Sequence, residues 1–493
     1  MSLSANSPDS SSAEYQDTVL SWTETDGSVC PWSWQAVHRP EGAALIDGSG
    51  QVETWLSLHK RANKWEEKLS NLPVGPVGVS SWNSAALVAF LIGAWRASKT
   101  VAILSPRLPY GQPQQLLKLL GGSLIELEAG TDLPDDSKLL GIDHAAAVLC
   151  GLGKASTLIL TSGSSGDPRF VRHNAHAHIH SALASSKRLA ILQQDRWLWS
   201  LPAFHAGGLA ILWRMAVSGG SVMIQPRGRT LSDQLSLKSP TLMSLVPTQL
   251  RDLLDRNTLR PTALRDIIVG GAPLSISLLK LAVEAKWPVR TTYGLSETAS
   301  MVTLSDRWTS EAVWSIPGEA QPNGPSPAGY PLEGAQVEVK EGRVRARGAM
   351  LAEAYLSLSA EANEDPIADS DGWFSTSDAG EFLGDGSIRL LHRLDRVIIS
   401  GGENVDLAQI KMAIKQLPAV YQVIVIGVPD ERFGERPVAF VDMHGVMPDA
   451  AWFNERLVGR LEKMAIPDRF LPWPDLPEGS IKPSHALLRR LAL

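Results

Sequence analysis

An apolar run breaks off abruptly in Leu158-Ile-Leu-Thr-Ser-Gly-Ser-Ser-Gly-Asp-Pro-Arg169, where Thr161, Ser162, Gly163, Ser164, Ser165 and Gly166 follow one another without a bulky side chain. The stretch reads as a buried strand giving way to a loop of hydroxyls and free backbone N–H groups. Such a loop suits polyphosphate. Glycines let the backbone curl until several N–H groups converge on one anion, and hydroxyls add short hydrogen bonds without bulk. The loop is not a Walker A motif, which closes with Gly-Lys-Ser/Thr at a helix start, because Gly166 is followed by Asp167-Pro168-Arg169. Gly-x-Ser-x-Gly is absent at this turn, so it is not a nucleophile elbow either. Read alone, it describes a surface turn equally well, and the rest of the chain decides.

A chain of 493 residues is too long for one ordinary core and implies at least two domains. With a net charge of -6 and scattered basic residues, nothing draws the whole chain to nucleic acid or to an anionic membrane. Cys30 and Cys150, the only two cysteines, show no metal-ligand spacing and fit a reducing cytoplasm. The longest apolar stretch, 85–95, is too short to span a bilayer. Residues 1–16 lack both a basic flank and an apolar core, and read as a disordered tail rather than a signal peptide.

From 22 to 122, short apolar runs alternate with helical periodicity: strands at 74–79 and 100–104, helices at 85–97 and 112–120. Alternation of this kind predicts a parallel sheet covered on both faces. Residues 123–154 are Gly- and Asp-rich and lead to the organising loop. After it comes His173-Asn-Ala-His176-Ala-His178-Ile-His180, expected on a helix that follows the loop, with His176 and His180 on one face. No carboxylate or cysteine joins them, so no metal is assigned there.

A second anchor is Thr291-Thr-Tyr293-Gly294-Leu-Ser296-Glu297-Thr298. Tyr293 can stack on a purine, Gly294 lets backbone approach, Ser296 can bond phosphate, and Glu297 can hold Mg²⁺ through oxygen. Between the anchors, 201–214, 244–249 and 267–273 are apolar segments broken by Gly or Pro, as expected where strand ends open onto a crevice. Short alternating strands at 333–348 suggest a small β-subdomain.

The organising loop resembles the signature of the acyl-adenylate-forming superfamily, with Arg169 where Lys is usual. Charge is kept in a wider, planar donor. Asp371-Gly-Trp-Phe-Ser-Thr-Ser377-Asp378 resembles the ribose-binding motif, with Ser377 for Gly. His392-Arg393-Leu-Asp395 and Ser400-Gly401-Gly402-Glu-Asn resemble the hinge region, with His392 for Gly. Glu478-Gly-Ser-Ile-Lys482-Pro-Ser resembles one variant of the catalytic-lysine motif.

The resemblance implies an α/β fold: a large N-terminal domain (17–394) of layered parallel α/β subdomains with a small β-subdomain, hinged at Asp395 to a small α+β C-terminal domain (395–493). It implies ATP, Mg²⁺ and coenzyme A as reactants, with Lys482, Glu297 and Arg169 catalytic and Glu297 on the metal. The nucleotide falls to the loop 161–166, to Gly271, Ala272 and Pro273, to Tyr293, Gly294 and Ser296, and to Asp378, Arg393, Gly401 and Gly402. Within the superfamily, 201–214, 244–250, 293–300 and 399–404 resemble the 2-succinylbenzoate–CoA ligases of menaquinone and phylloquinone biosynthesis. An acid of that kind carries a second carboxylate. Arg214 or Arg251 could meet it, each equally readable as a surface arginine, while His205 and Thr248 would line the acyl pocket. The partners implied are a small carboxylic acid and CoA, without nucleic acid or membrane insertion; self-association stays open. A ligase for another acid, and a nucleotide-binding homologue that has lost catalysis, remain the alternatives.

Overall fold

The computed structural model describes residues 29–127, 150–162, 168–225, 228–237, 239–316, 324–358, 364–443, 445–474 and 485–493. Two mixed sheets, a small antiparallel sheet and a C-terminal sheet organise them.

The first sheet has seven strands. Its parallel part comprises Val77–Ser80, Thr100–Leu104, Ser123–Ile125 and Ser156–Ser162, with Ala102 opposite Leu158. Ladder pairing begins at Val77 rather than 74, because Gly75 has φ +152° and Pro76 has no N–H to donate. The Ala85–Arg96 helix that follows is apolar nearly all round and correspondingly buried, with Ser84 Oγ capping the Leu87 N–H.

One expectation is overturned next to the organising loop. The chain returns not as a helix but as the strand Pro168–Asn174, antiparallel to Ser156–Ser162, with Thr161 opposite Arg169. Phe170 and Val171 are fully buried, and that β-forming pair wins over helical spacing of the histidines. The helix starts only at Ala175, where Asn174 Oδ1 accepts from the Ala177 N–H at 2.8 Å. The loop is therefore a hairpin connection. Ala354–Ser357 extends the same edge, pairing Ser357 with Arg169.

The second sheet has nine strands, parallel at its centre: Ala43–Ile46, Ser221–Ile224, Arg196–Trp199, Leu242–Leu245, Asp266–Val269 and Val289–Leu295. Several of these strands are buried at every residue, as expected where helices cover both faces. Val289–Leu295 then meets the antiparallel Ser300–Leu304. The Ala175–Leu189 and Ala206–Ser218 helices pack on each other and on Ser300–Leu304. Trp32, Trp95 and Trp213 meet within 5.5 Å in the main core.

Gln336–Lys340, Arg343–Arg347, Phe374–Phe382 and Ile388–Arg393 form the expected small antiparallel sheet. Beyond the short turn Leu394–Arg396, the strands Val397–Ser400, Glu403–Asp406, Val420–Asp430, Gly434–Met443 and Arg469–Pro472 carry their own core around Ile410, Ile414 and Phe453. The fold is thus the mixed α/β arrangement with a small α+β C-terminal unit that the resemblance implies. Among the described residues, no helix is long and apolar enough to cross a membrane.

Candidate active site

A cleft of about 580 Å³ opens where the two large sheets and the small antiparallel sheet meet, lined by Thr161, Arg169, Glu297, Tyr355, Ser377 and Arg393 among others. Residues from both sequence anchors and from the ribose-like motif therefore face one space. The loop residues 163–167 and Lys482 lie outside the described residues, as does the side chain of Ser162.

Glu297 sits in the tight turn Ser296–Thr298 at the end of the Val289–Leu295 strand, where Thr298 Oγ1 accepts from Leu295 N and donates to Ser300 O. The Tyr355 hydroxyl donates to Glu297 Oε1 at 2.8 Å, and Arg169 Nη2 stands 3.9 Å from the same oxygen. The Arg169 guanidinium lies 3.4 Å above the Tyr355 ring. Burial, then the Glu297 charge, pushes the Tyr355 phenol up, so it remains a donor. Sequence reasoning missed Tyr355. Only the pairing of Ala354–Ser357 with Pro168–Asn174 puts it there, and nothing local in its sequence marks it.

Asp378, 8% exposed, is held from one side by the Tyr293 hydroxyl at 2.7 Å and from the other by Arg393 Nη1 at 3.8 Å. Asp378 and Arg393 are direct partners across two antiparallel strands. Arg393 is gripped in turn by Asp395, Nε to Oδ1 at 2.8 Å and Nη2 to Oδ2 at 2.5 Å, and this pairing raises its pKa further above the ordinary arginine value.

Two residues of this cluster are also fixed by packing. Tyr293 is 6% exposed, its ring in one cluster with Val302, Ala328 and Ile388, and its hydroxyl is anchored on Asp378. Gly294 is needed for close approach, but of protein backbone: a Cβ there would lie 1.8 Å from Ser300 O. The substitutions Ser377 and His392, by contrast, sit in extended strands with no positive φ, so glycine is not required at either place.

The remaining predicted residues are spread more widely. Gly271, Ala272 and Pro273 are exposed just past the carboxyl end of Asp266–Val269. Gly401 and Gly402, at φ +61° and +86°, form the two-residue turn between Ser400 and Glu403, a conformation that favours glycine. His205 is the exposed N-cap of Ala206–Ser218, its pKa lowered by partial burial and then by Arg107. Thr248 is exposed in the first turn of Pro247–Asp255.

The two candidate arginines separate completely. Arg251 is on the exposed side of Pro247–Asp255, 3.7 Å from Asp255, which makes it a surface pair. Arg214 is 1% exposed and has no carboxylate partner among the described residues. Its Nε donates to Ser185 Oγ at 2.8 Å and its Nη2 to Ser300 Oγ at 3.0 Å; burial pulls its pKa down to about 9. Ser300 begins the strand directly after the Glu297 turn, so this buried guanidinium reaches the strand that follows the turn. His173, at the same seam, places Nε2 2.6 Å from Ser296 O and is kept neutral by burial, its pKa lowered to about 4.

Cations, one accessible carboxylate and a second fixed carboxylate suit a nucleotide polyphosphate with its sugar. The sequence profile of AMP-binding enzymes matches residues 128–351, and that of their C-terminal domain matches 409–480. The chain belongs to the AMP-binding enzyme family. Among members of this family, the 2-succinylbenzoate–CoA ligase of Bacillus cytotoxicus is 32% identical over 93% of this chain and 97% of its own length. That of Escherichia coli K12 is 29% identical over 93% and 97%. Among AMP-binding enzymes of known structure, o-succinylbenzoate CoA synthetase from Bacillus subtilis, in complex with the acyl-adenylate intermediate OSB-AMP, superposes with a TM-score of 0.75 at 25% identity, over 94% of this chain and 97% of that one. The same enzyme with ATP and magnesium ion gives 0.74 at 27%, over 93% and 98%.

Proposed function

We propose that this chain is an AMP-forming acyl–CoA ligase that adenylates 2-succinylbenzoate and transfers the acyl group to CoA, releasing AMP and diphosphate. The similarity to 2-succinylbenzoate–CoA ligases along nearly the whole chain supports the reaction class. The observation that carries the substrate is Arg214, a wholly buried guanidinium that meets two hydroxyls and the face of the Trp197 ring but no carboxylate among the described residues. A buried charge without a counter-ion is costly, and an acid with a second carboxylate supplies the missing anion. Gly207, Ala210 and Arg214 recur at helical spacing on one face of Ala206–Ser218, and a Cβ at Gly207 would meet only Leu201 within 4 Å. An acid with a purely apolar tail would leave Arg214 unpaired.

In the first half-reaction a carboxylate oxygen attacks the α-phosphorus of ATP and diphosphate leaves. No protein nucleophile is required, so the protein's work is positional and electrostatic. Arg169 faces the cleft and spreads the charge of the phosphates; Asp378, held by Tyr293, accepts from the ribose hydroxyls, and Arg393 lies beside it. Glu297 fits the Mg²⁺ that accompanies ATP, being a cleft carboxylate with room for phosphate and water oxygens beside it; that ion neutralises phosphate charge. Lys482 completes adenylation. In the second half-reaction the CoA thiol attacks the activated carbonyl and AMP leaves. The C-terminal unit turns at Asp395 between the two, bringing Gly401 and Gly402 in place of Lys482. The retained Arg169, Glu297, Asp378 and Arg393 constellation, and the strand geometry at Ser377 and His392, weigh against a degenerate binder.

The test is product mass spectrometry with ATP, Mg²⁺, CoA and 2-succinylbenzoate, beside benzoate, succinate and octanoate. Succinylbenzoyl-CoA with AMP, and little product from the rest, is expected. AMP formed preferentially with another acid sinks the substrate assignment, and ATP binding without AMP sinks the activity.

A further inference from the structure

Tyr355 lines the cleft, yet the proposed reaction gives it no part. Its strand is tied to Glu297 at two points. The Ala352 N–H donates to the Glu297 carbonyl oxygen at 2.8 Å, and the Tyr355 hydroxyl donates to Oε1 of the same residue, also at 2.8 Å. Polar contacts fasten the neighbouring Glu353 to the Pro168–Asn174 strand: its N–H donates to Arg172 O at 2.8 Å, and its carboxylate accepts from Asn174 Nδ2 at 3.0 Å and Arg172 Nε at 3.1 Å. The register then sets Ser357 opposite Arg169 and Tyr355 opposite Val171, so Tyr355 and Arg169 are diagonal neighbours on one face.

A guanidinium and a carboxylate that are free to meet close to about 2.8 Å, often through two parallel hydrogen bonds. Arg169 Nη2 stops 3.9 Å from Glu297 Oε1. That oxygen already accepts from Tyr355, and the guanidinium centre lies 3.4 Å over the Tyr355 ring. Arg169 Nε is buried with no hydrogen-bond partner among the described residues. The cation is thus seated on a ring face rather than on the nearest anion, with N–H donors left over.

We propose that Tyr355 is a positioning residue that keeps Arg169 and Glu297 apart, so that the guanidinium stays open to the phosphates and the carboxylate to Mg²⁺. The assignment rests on the roles proposed above for these two residues. The ring carries the guanidinium, while the hydroxyl holds Glu297 by Oε1 and leaves Oε2 to other partners. Arginine suits this seat better than lysine, because a planar guanidinium stacks on an aromatic face. Arg169 and Tyr355 form a matched pair in that sense.

The test is calorimetric binding of ATP with Mg²⁺, and of AMP alone, to the full-length protein and to Tyr355→Phe, which keeps the ring and removes the hydroxyl. The expected result is a Kd for ATP with Mg²⁺ raised roughly 10-fold or more, and a Kd for AMP, which lacks the outer phosphates, within about 2-fold of wild type. A merely structural contact would weaken both nucleotides alike. In a crystal structure of Tyr355→Phe without nucleotide, the separation of Arg169 and Glu297 is expected to fall from 3.9 Å to about 2.8 Å. Tyr355→Leu, which loses ring and hydroxyl together, weakens ATP with Mg²⁺ further.

Equal loss of both nucleotides, no loss, or a pair still 3.9 Å apart in Tyr355→Phe overturns the assignment. If neither variant folds, a crystal structure of the wild type with ATP and Mg²⁺ decides: the Tyr355 hydroxyl stays on Glu297 and its ring under Arg169, and a hydroxyl that has left Glu297 overturns the proposal. A wild type that binds no ATP with Mg²⁺ fails the functional reading itself, whereas a wild type that binds it no better than Tyr355→Phe fails this inference alone.

Discussion

The Tyr293 hydroxyl donates to Asp378 Oδ2 at 2.7 Å, joining two motifs that lie 85 residues apart. Removing only the oxygen, in Tyr293→Phe, keeps the ring in its cluster and strips a buried carboxylate of its neutral donor. The variant is expected to lose roughly 1–3 kcal/mol of unfolding free energy by chemical denaturation. On the proposed role of Asp378, its KM for ATP rises as well. Wild-type stability in Tyr293→Phe would refute the importance of the bond.

Arg214→Met replaces an uncompensated buried guanidinium by an apolar chain of similar length. Stability is expected to hold or increase, because the cost of burying the charge disappears. The KM for 2-succinylbenzoate rises steeply at the same time. The pH dependence has a definite sign. The folded-state pKa of Arg214, about 9, lies below the ordinary 12.5. The burial penalty is therefore fully present below pH 9 and is relieved as pH rises above it, where the unfolded chain alone keeps the proton. Denaturation of wild type and Arg214→Met between pH 8 and 10.5 reads this directly: the gap between them narrows with increasing pH. A gap that does not change over that range contradicts the lowered pKa.

Arg251→Ala provides the contrast. Its partner Asp255 is exposed in the same helix, so the stability change is expected within about 0.5 kcal/mol and the KM for the acid unchanged. A KM effect like that of Arg214→Met would mean that the exposed helix face takes part in recognition after all.

Ser377→Gly and His392→Gly restore residues usual in the family but sit in strands where no positive φ asks for glycine. Each is expected to cost roughly 0.5–1 kcal/mol and to leave kcat no higher. A gain in kcat from either change would show that backbone freedom there limits the reaction.

Gly294→Ala tests a position where only glycine fits. Its Cβ would come within 1.8 Å of Ser300 O, a backbone atom of the neighbouring strand that cannot turn aside. A loss of roughly 3 kcal/mol or more, or failure to accumulate as folded protein, is expected. Normal thermal unfolding of Gly294→Ala would mean that the two strands separate easily at this bulge.

Much of the molecule was legible in the chain. Strand–helix alternation announced the parallel sheets, and Thr100–Leu104 falls where its apolar run does. The motifs also named Arg169, Glu297, Asp378 and Arg393, which the structure gathers at one cleft or beside it. These features are local, because propensity, turn chemistry and motif spacing act over a few residues.

What the chain could not disclose depends on pairings across long sequence distances. The return of the loop as a strand, Tyr355 beside Glu297 and the enclosure of Tyr293 all follow from strand register. The clearest case is the pair Arg214 and Arg251, identical as letters and equally readable as surface or site. One helix turns its arginine to solvent beside Asp255; the other buries its arginine between two helices and a strand, against two hydroxyls and the Trp197 ring, with no carboxylate partner among the described residues. The sequence by itself determined that the chain handles an adenylate. Only the tertiary structure decided which of the two arginines is buried, because burial is a property of packing, not of the residue.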